Sequence, residues 1–376
     1  MLNKDLNFDS LKFDNNDNFN MPNLNLEKFK KRHSNIQYQI DEQLDSHTKN
    51  FMENNEYEDI EEIEIPMIFH VVYNNGDEYL FHDSSFKLKQ QQIQKYVVDQ
   101  LNEDYNLENE DRFETPEVWQ DLMADFKIKF YINKVIFING DFELDGDDDS
   151  KLNTVKFDEY GGSNVIDPEL NLNVWIVNIL PMSTGNNLMG FAQFASDFKN
   201  HEETDGYVLN IVSIILQAMG HKDRTSTHEL GHWMNLRHIW GDGGCDVDDG
   251  VADTPNSNTN HMDCGGKENC TYPATSSCGS PDMFMNYMSY GEDQYMFTKG
   301  QMLRARAVFA EGGPRHSIVT QKKSSDDDIY VIIWCGVAFI CLIFMIFFIS
   351  RSVHRCILKY RLREMHELTD HVENIV

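Results

Sequence analysis

His228-Glu229-Leu230-Gly231-His232-Trp233-Met234-Asn235-Leu236-Arg237-His238-Ile239-Trp240 is the stretch whose reading decides the fold. On a helix, residues four apart share a face with Cβ atoms about 5–6 Å apart, so His228 and His232 present two imidazoles to one point. Glu229, one step round the helix, lies beside that point and not in it. Three neutral ligands around zinc leave a position for water and bring its pKa towards about 7, and a neighbouring carboxylate can take the proton. His238 completes the three if the chain reverses between it and His232. Asparagine is the non-glycine residue that best tolerates left-handed backbone angles, which makes Asn235 the pivot.

A structural reading competes for the same residues. Ser226-Thr227-His228-Glu229 also fits a capping box, which would give Glu229 only a helix start to hold. Further along, Asn286-Tyr287-Met288-Ser289-Tyr290 favours the metal reading, although Met288 alone would be core filling. His228 to Asp242, together with Asp282-Met283-Phe284-Met285-Asn286-Tyr287-Met288, resembles the pappalysin-type metzincins, the group that contains ulilysin and the cytophagalysins. Metzincins carry glycine at the pivot where this chain has Asn235.

The resemblance extends over residues 36 to 316 and implies an α/β (α+β) zincin fold. Its upper lobe is a mixed twisted sheet with an active-site helix; its lower lobe is irregular, with a Met-turn and a C-terminal helix. It further implies one catalytic zinc on His228, His232 and His238, Glu229 as general base, Met288 as an apolar floor under the metal, and Tyr290 as a stabiliser of the oxyanion. The activity it implies is zinc-dependent endopeptidase, with a peptide or protein bound extended along the cleft. Met189-Gly190-Phe191-Ala192-Gln193-Phe194 aligns with the family's outer strand, whose edge an extended substrate can pair with through main-chain bonds. The alternative from another class is a catalytically silent adhesion or structural protein on the same scaffold.

At 376 residues and a net charge of -30 the chain can hold one large domain with appendages, and its charge excludes nucleic acid as a partner. The first sixty residues form a polar segment of a different kind. Residues 1 to 33, rich in Asn, Asp and Lys, carry too little apolar surface to offset chain entropy and read as disordered. Asp5 and Asp9 stand where a signal peptide needs an apolar core. From Ile36 to Asn54 the pattern is helical and resembles the family's junction between pro-segment and enzyme. No cysteine precedes Cys245, which excludes a cysteine switch. Latency must then come from a carboxylate on zinc or from steric cover of the cleft, and deletion of residues 1 to 55 is expected to raise or preserve activity.

The folded domain, 61–318, begins on Ile65-Pro66-Met67-Ile68-Phe69-His70-Val71-Val72-Tyr73, an apolar run that reads as a buried strand. His70 within it reads as a core histidine. Apolar residues recur at three and four through Phe86 to Asn106, a long amphipathic helix. Phe126 to Phe130 and Leu172 to Val177 read as further strands. Thr298 is a helix cap, Met302, Ala305, Ala307, Val308 and Phe309 give the last helix an apolar face, and Gly312-Gly313-Pro314 stops it.

Two acidic stretches invite cations. Asp141 to Asp149 holds six carboxylates in nine residues, a solvated loop or a calcium loop. Asp242, Asp246, Asp248, Asp249 and Asp253 form a second set, and Asp253-Thr254-Pro255 matches a family tripeptide near its structural calcium. Cys245, Cys264, Cys270 and Cys278 are either a second zinc site or disulfides, and an acidic extracellular enzyme favours disulfides. By family analogy Cys245 pairs with Cys278, which leaves Cys264 for Cys270.

After a linker, 319–328, Ile329 to Ile349 is 21 residues without a charge, about 31 Å as a helix and enough to cross a bilayer. The transmembrane helix is placed at 329–350 and a short basic-then-mixed tail at 351–376. Arg351, Arg355, Lys359, Arg361 and Arg363 follow it, against Arg315, Lys322 and Lys323 before it. The positive-inside rule then puts the tail in the cytoplasm and the catalytic domain on the lumenal, extracellular or outer-envelope face of a single-pass membrane protein.

Overall fold

A computed structural model describes residues 42–74, 88–140, 144–145, 151–180, 188–262, 264, 270–320, 345, 348–359 and 361–363. The chain divides into two compact units, Met1–Val319 and Thr320–Val376. The expected disorder of residues 1 to 33, nearly all of the acidic run 141–149, and most of the apolar run 329–350 lie outside the described residues. No described helix is long and apolar enough to cross a membrane.

The first unit is built on a five-stranded sheet. Strand β1 (Ile63–Tyr73) is buried from Ile65 to Val72 because it lies inside the sheet with both faces covered, and an uninterrupted apolar run is what such a position requires. Pro66 cannot donate to a ladder, and it sits beside a register shift between Met67 and Ile68 where the pairing with the neighbouring strand is broken. That neighbour, β2 (Ile128–Asn139), starts two residues later than its alternation predicts, because Lys127 takes a left-handed φ of 53°. On the other side of β1 lies β3 (Leu172–Val177), then β5 (Tyr207–Asn210), all parallel. The edge is β4 (Gly190–Ala192), antiparallel to β5.

Helix α2 runs from Gln90 to Tyr105 with a π turn over Gln94–Val98. Ile93, Val97, Val98, Leu101 and Tyr105 are fully buried against the sheet. The expected helix is therefore present, although its described part starts at Gln90 and its middle turn is wider than 3.6-residue periodicity suggests. His70 is the core histidine expected: its Nδ1 meets Ser163 Oγ at 2.7 Å, its Nε2 meets Asn173 Oδ1 at 2.9 Å, and its ring stacks on Trp175.

The described part of the N-terminal segment packs on the first unit. Residues 42–54 form a helix, α1, with Leu44 and Thr48 buried and Phe51 packed on the main core. His47 Nε2 bonds Ala307 O at 2.9 Å. Positions 44, 48 and 51 have the helical spacing that buries one face. This part of the segment belongs to the first unit. Near the end of the first unit, helix α5 (Lys299–Ala307) starts on a capping box formed by Thr298 and Gln301.

Candidate active site

After helix α3 (Ile211–Ala218), helix α4 (Thr225–Trp233) carries the first two histidines and packs against β4, β5 and α2. It begins before Ser226, so the capping-box reading fails: Thr225 N–H is held by Asp223 Oδ1 at 3.1 Å, and Glu229 lies in the second turn. Tyr105 OH donates to Thr227 O at 2.9 Å and Thr227 Oγ1 donates to buried Asp104 at 2.6 Å, fixing the helix to α2.

The helix ends where Asn235 takes a φ of 72°. Asn235 N–H bonds His232 O and Leu236 N–H bonds Gly231 O, both at 2.9 Å. This pair of bonds is the Schellman motif with Asn235 in its left-handed position. The reversal brings His238 back to its two partners.

The three Nε2 atoms lie 3.0, 3.1 and 3.2 Å apart. Each Nδ1 is already engaged, His228 with Tyr287 O at 2.7 Å, His232 with Leu236 O at 2.9 Å, and His238 with Asp242 Oδ1 at 2.7 Å. Carbonyl and carboxylate oxygens only accept, so each Nδ1 carries the proton and each Nε2 directs a lone pair at the same point. Three converging lone pairs repel one another unless a cation sits among them. Tetrahedral zinc with bonds of about 2.0–2.1 Å needs ligand nitrogens roughly 3.3 Å apart, which this triangle matches within tenths of an ångström. Burial and the neighbouring imidazoles push His228 well below its ordinary range, and burial pushes His232 down to about 3. Neutral imidazoles are the form a metal requires.

Glu229 is buried, its carboxylate has no partner among the described residues, and burial lifts it to about 8. Gly190 of the edge strand lies directly on it. A Cβ at Gly190 would come within 2.8 Å of Glu229 Cγ. Met288 is fully buried under the histidines, and a Cβ at Gly231 would fall 2.5 Å from its Sδ. Tyr290 faces the same centre, with its ring 5.3 Å from His228 and 4.9 Å from His238.

Among the described residues the three histidines are the one group that converges for a metal. The five aspartates of the following loop do not converge as a group among the described residues. Asp253 spends Oδ1 on Thr298 and Oδ2 on Gly300 N–H, capping α5. The single Thr254 hydroxyl lies within reach of both Asp249 oxygens, and Val251 N–H donates to Oδ1. Asp248 accepts from Gly250 N–H, Asp242 orients His238, and Asp246 is exposed. Cys245 is bonded to Cys278 and Cys264 to Cys270, so the four cysteines are not a second metal site.

Sequence reasoning missed two residues of the site. Asp242 stands four residues after His238, a spacing that signals an orienting partner, but the surrounding aspartates drew it into the calcium set. Trp240 stacks on His238 at 4.1 Å with an interplanar angle of 8° and meets Tyr290 edge-on at 4.9 Å. Only its place beside His238 hinted at that.

A mixed sheet, a helix carrying two histidines and a glutamate, a left-handed reversal to a third histidine, and a buried methionine packed on that helix are the arrangement of a metzincin. The comparisons narrow the class. The family described as pregnancy-associated plasma protein-A matches residues 159–310. Mature mirolysin from Tannerella forsythia, solved with a cleaved peptide, is 32% identical with a TM-score of 0.59, over 69% of this chain and 96% of that one. A promirolysin mutant from the same organism is 29% identical with a TM-score of 0.64, over 81% and 98%. An extracellular metalloprotease of Arthroderma benhamiae is 32% identical over 150 residues, 37% of this chain and 48% of that protein. The chain therefore spans about half the length of that curated relative. It belongs to the pappalysin family of metzincins.

Proposed function

We propose that the protein is a zinc-dependent endopeptidase. The observation that carries this reading is the locked tautomer of all three histidines, which leaves three Nε2 lone pairs on one point beside an unpartnered buried glutamate. His228, His232 and His238 would hold the metal. Zinc bound there supplies a Lewis acid for the scissile carbonyl and a water acidified towards about 7. Glu229 accepts the proton of the attacking water and returns it to the leaving amine. The Tyr290 phenol, its titration pushed well above its usual range by burial, stays protonated and donates to the oxygen on which charge develops. Met288 keeps an apolar floor beneath the ligands. The main chain of β4 pairs with a substrate strand immediately above Glu229.

The peptide bound to the mirolysin neighbour supports a peptide substrate. The greater share of this chain matched by promirolysin than by mature mirolysin supports a pro-segment at the N-terminus. The alternative, a silent scaffold, gives no role to a buried carboxylate without a partner. A structural calcium implied by the family would have to draw on Asp246 or Asp248 and on backbone oxygens, and no catalytic step depends on it.

Membrane anchoring is part of the same proposal. It is supported by the uncharged run Ile329–Ile349 and by the exposed helix 348–359, which sets Arg351, Arg355 and Lys359 four residues apart directly after that run. The two disulfides and the extracellular relatives support an external catalytic domain with a cytoplasmic tail.

The test is digestion of a peptide library by the full chain, with metal analysis, before and after chelation and after zinc is restored. Cleavage that disappears with the chelator and returns with zinc is expected. One zinc per chain without cleavage would establish the silent scaffold instead.

A further inference from the structure

We infer that Asp45, on the N-terminal helix α1, is a positioning residue for the zinc-binding turn and acts through two arginines. The inference rests on the zinc reading above but concerns the far side of the site. Asp45 Oδ1 accepts from Arg304 Nη2 at 3.1 Å, and its Oδ2 accepts from Arg237 Nη2 at 3.4 Å. Arg237 lies inside the zinc motif, directly before His238. Arg304, from α5, donates through Nε to the carbonyl of Asn235 at 2.9 Å, the residue on which the chain reverses. One carboxylate thus ties α1 to both ends of the three-residue segment from Asn235 to Arg237 that leads into the third ligand.

The alternatives for these groups are poor. The Arg304 side chain is 4% exposed. Burial first, and the neighbouring Arg237 next, disfavour its charge, and Asp45 opposes them in part. Without Asp45 two guanidinium groups would face each other with no described anion between them except Asp249, whose oxygens are held by Thr254 and Val251. Space is also limited, since a Cβ at Gly250 would lie 2.7 Å from Arg304 Nη1. Arg304 would relax by turning away, and Asn235 O would lose its donor. The left-handed turn has a strained φ that only its surroundings hold in place.

Two readouts test the brace in the full chain. Hydrogen exchange on the metal-free protein reads the turn itself, at the Asn235 and Leu236 amides. Zinc release to a chelating dye reads the ligand it delivers. For Asp45→Asn and Asp45→Ala we expect exchange at those amides about tenfold faster and zinc release roughly three- to tenfold faster, less than for loss of a direct partner of a ligand. His47→Ala removes a different anchor of the same helix, the bond to Ala307 O, and should leave both rates within about twofold of wild type while lowering the thermal midpoint. Unchanged exchange in both Asp45 variants would overturn the brace. Equal acceleration in His47→Ala would overturn the role of Asp45 by assigning it to the helix as a whole. Failure of the wild-type protein to bind zinc would overturn the proposed function, and the exchange measurement would still decide the brace.

Discussion

His238 donates its Nδ1 proton to Asp242 Oδ1 at 2.7 Å, the one carboxylate contact among three ligand anchors that are otherwise backbone carbonyls. A carboxylate behind a ligating imidazole fixes its tautomer and raises its basicity. Asp242→Ala should therefore weaken zinc binding by about 10- to 100-fold, while Asp242→Asn, which keeps an acceptor, should lose less. Competition with a chelator of known affinity measures both. Equal affinity in wild type and Asp242→Ala would remove Asp242 from the site.

Glu229 touches no ligand nitrogen in a described bond, and among the described residues its carboxylate has no hydrogen-bond or ion-pair partner. Glu229→Ala should keep one zinc per chain and lower kcat by at least about 10²-fold, the contribution of a positioned general base. Loss of zinc with the side chain would show that Glu229 is a ligand. Cleavage at the native rate would place the base elsewhere.

Gly231 leaves room for Met288. A Cβ there would lie 2.5 Å from Met288 Sδ, so Gly231→Ala overpacks the floor of the site and should cost about 1–3 kcal/mol. Met288→Ala removes the obstacle at the cost of a cavity. The double variant should be more stable than the sum of the two single losses implies, because the second change relieves the clash created by the first. Unfolding in denaturant gives all four values, and strict additivity would mean that the two residues do not meet.

Much of the site was legible because its signals are local. The four-residue spacing of His228 and His232, the left-handed tolerance of Asn235, the apolar run of β1 and the cap at Thr298 each depend on neighbours within one or two turns. What was illegible depends on partners far away in sequence. Asp253 looks like a calcium ligand by composition, yet its oxygens are spent on Thr298, 45 residues on, and on Gly300. Asp45 looks like any polar residue of an N-terminal segment, yet it meets Arg304 across 259 residues. Carboxylates that cap helices, brace arginines and bind cations have one composition and differ only in what the fold brings to them. The π turn of α2 is hidden for a related reason: one widened turn barely alters which residues face the core.

His70 supplies a pH dependence away from the metal. Burial pushes its imidazole down to about 4, with Asn173 opposing and Lys134 adding to the shift. In the unfolded chain it titrates near 6.5. Between those values the unfolded state binds a proton that the folded state refuses, so the stability contributed is fully present above about pH 6.5 and is lost as pH falls towards about 4, a change of about 3 kcal/mol. His70→Gln keeps hydrogen-bonding capacity towards Ser163 and Asn173 without titrating in this range. Denaturant unfolding of the metal-free protein at a series of pH values should give a shallower acid slope for His70→Gln than for wild type, the contributions of the other histidines cancelling in the comparison. Parallel curves would mean that His70 takes up its proton in the folded core, and that its bonds to Ser163 and Asn173 survive the charge.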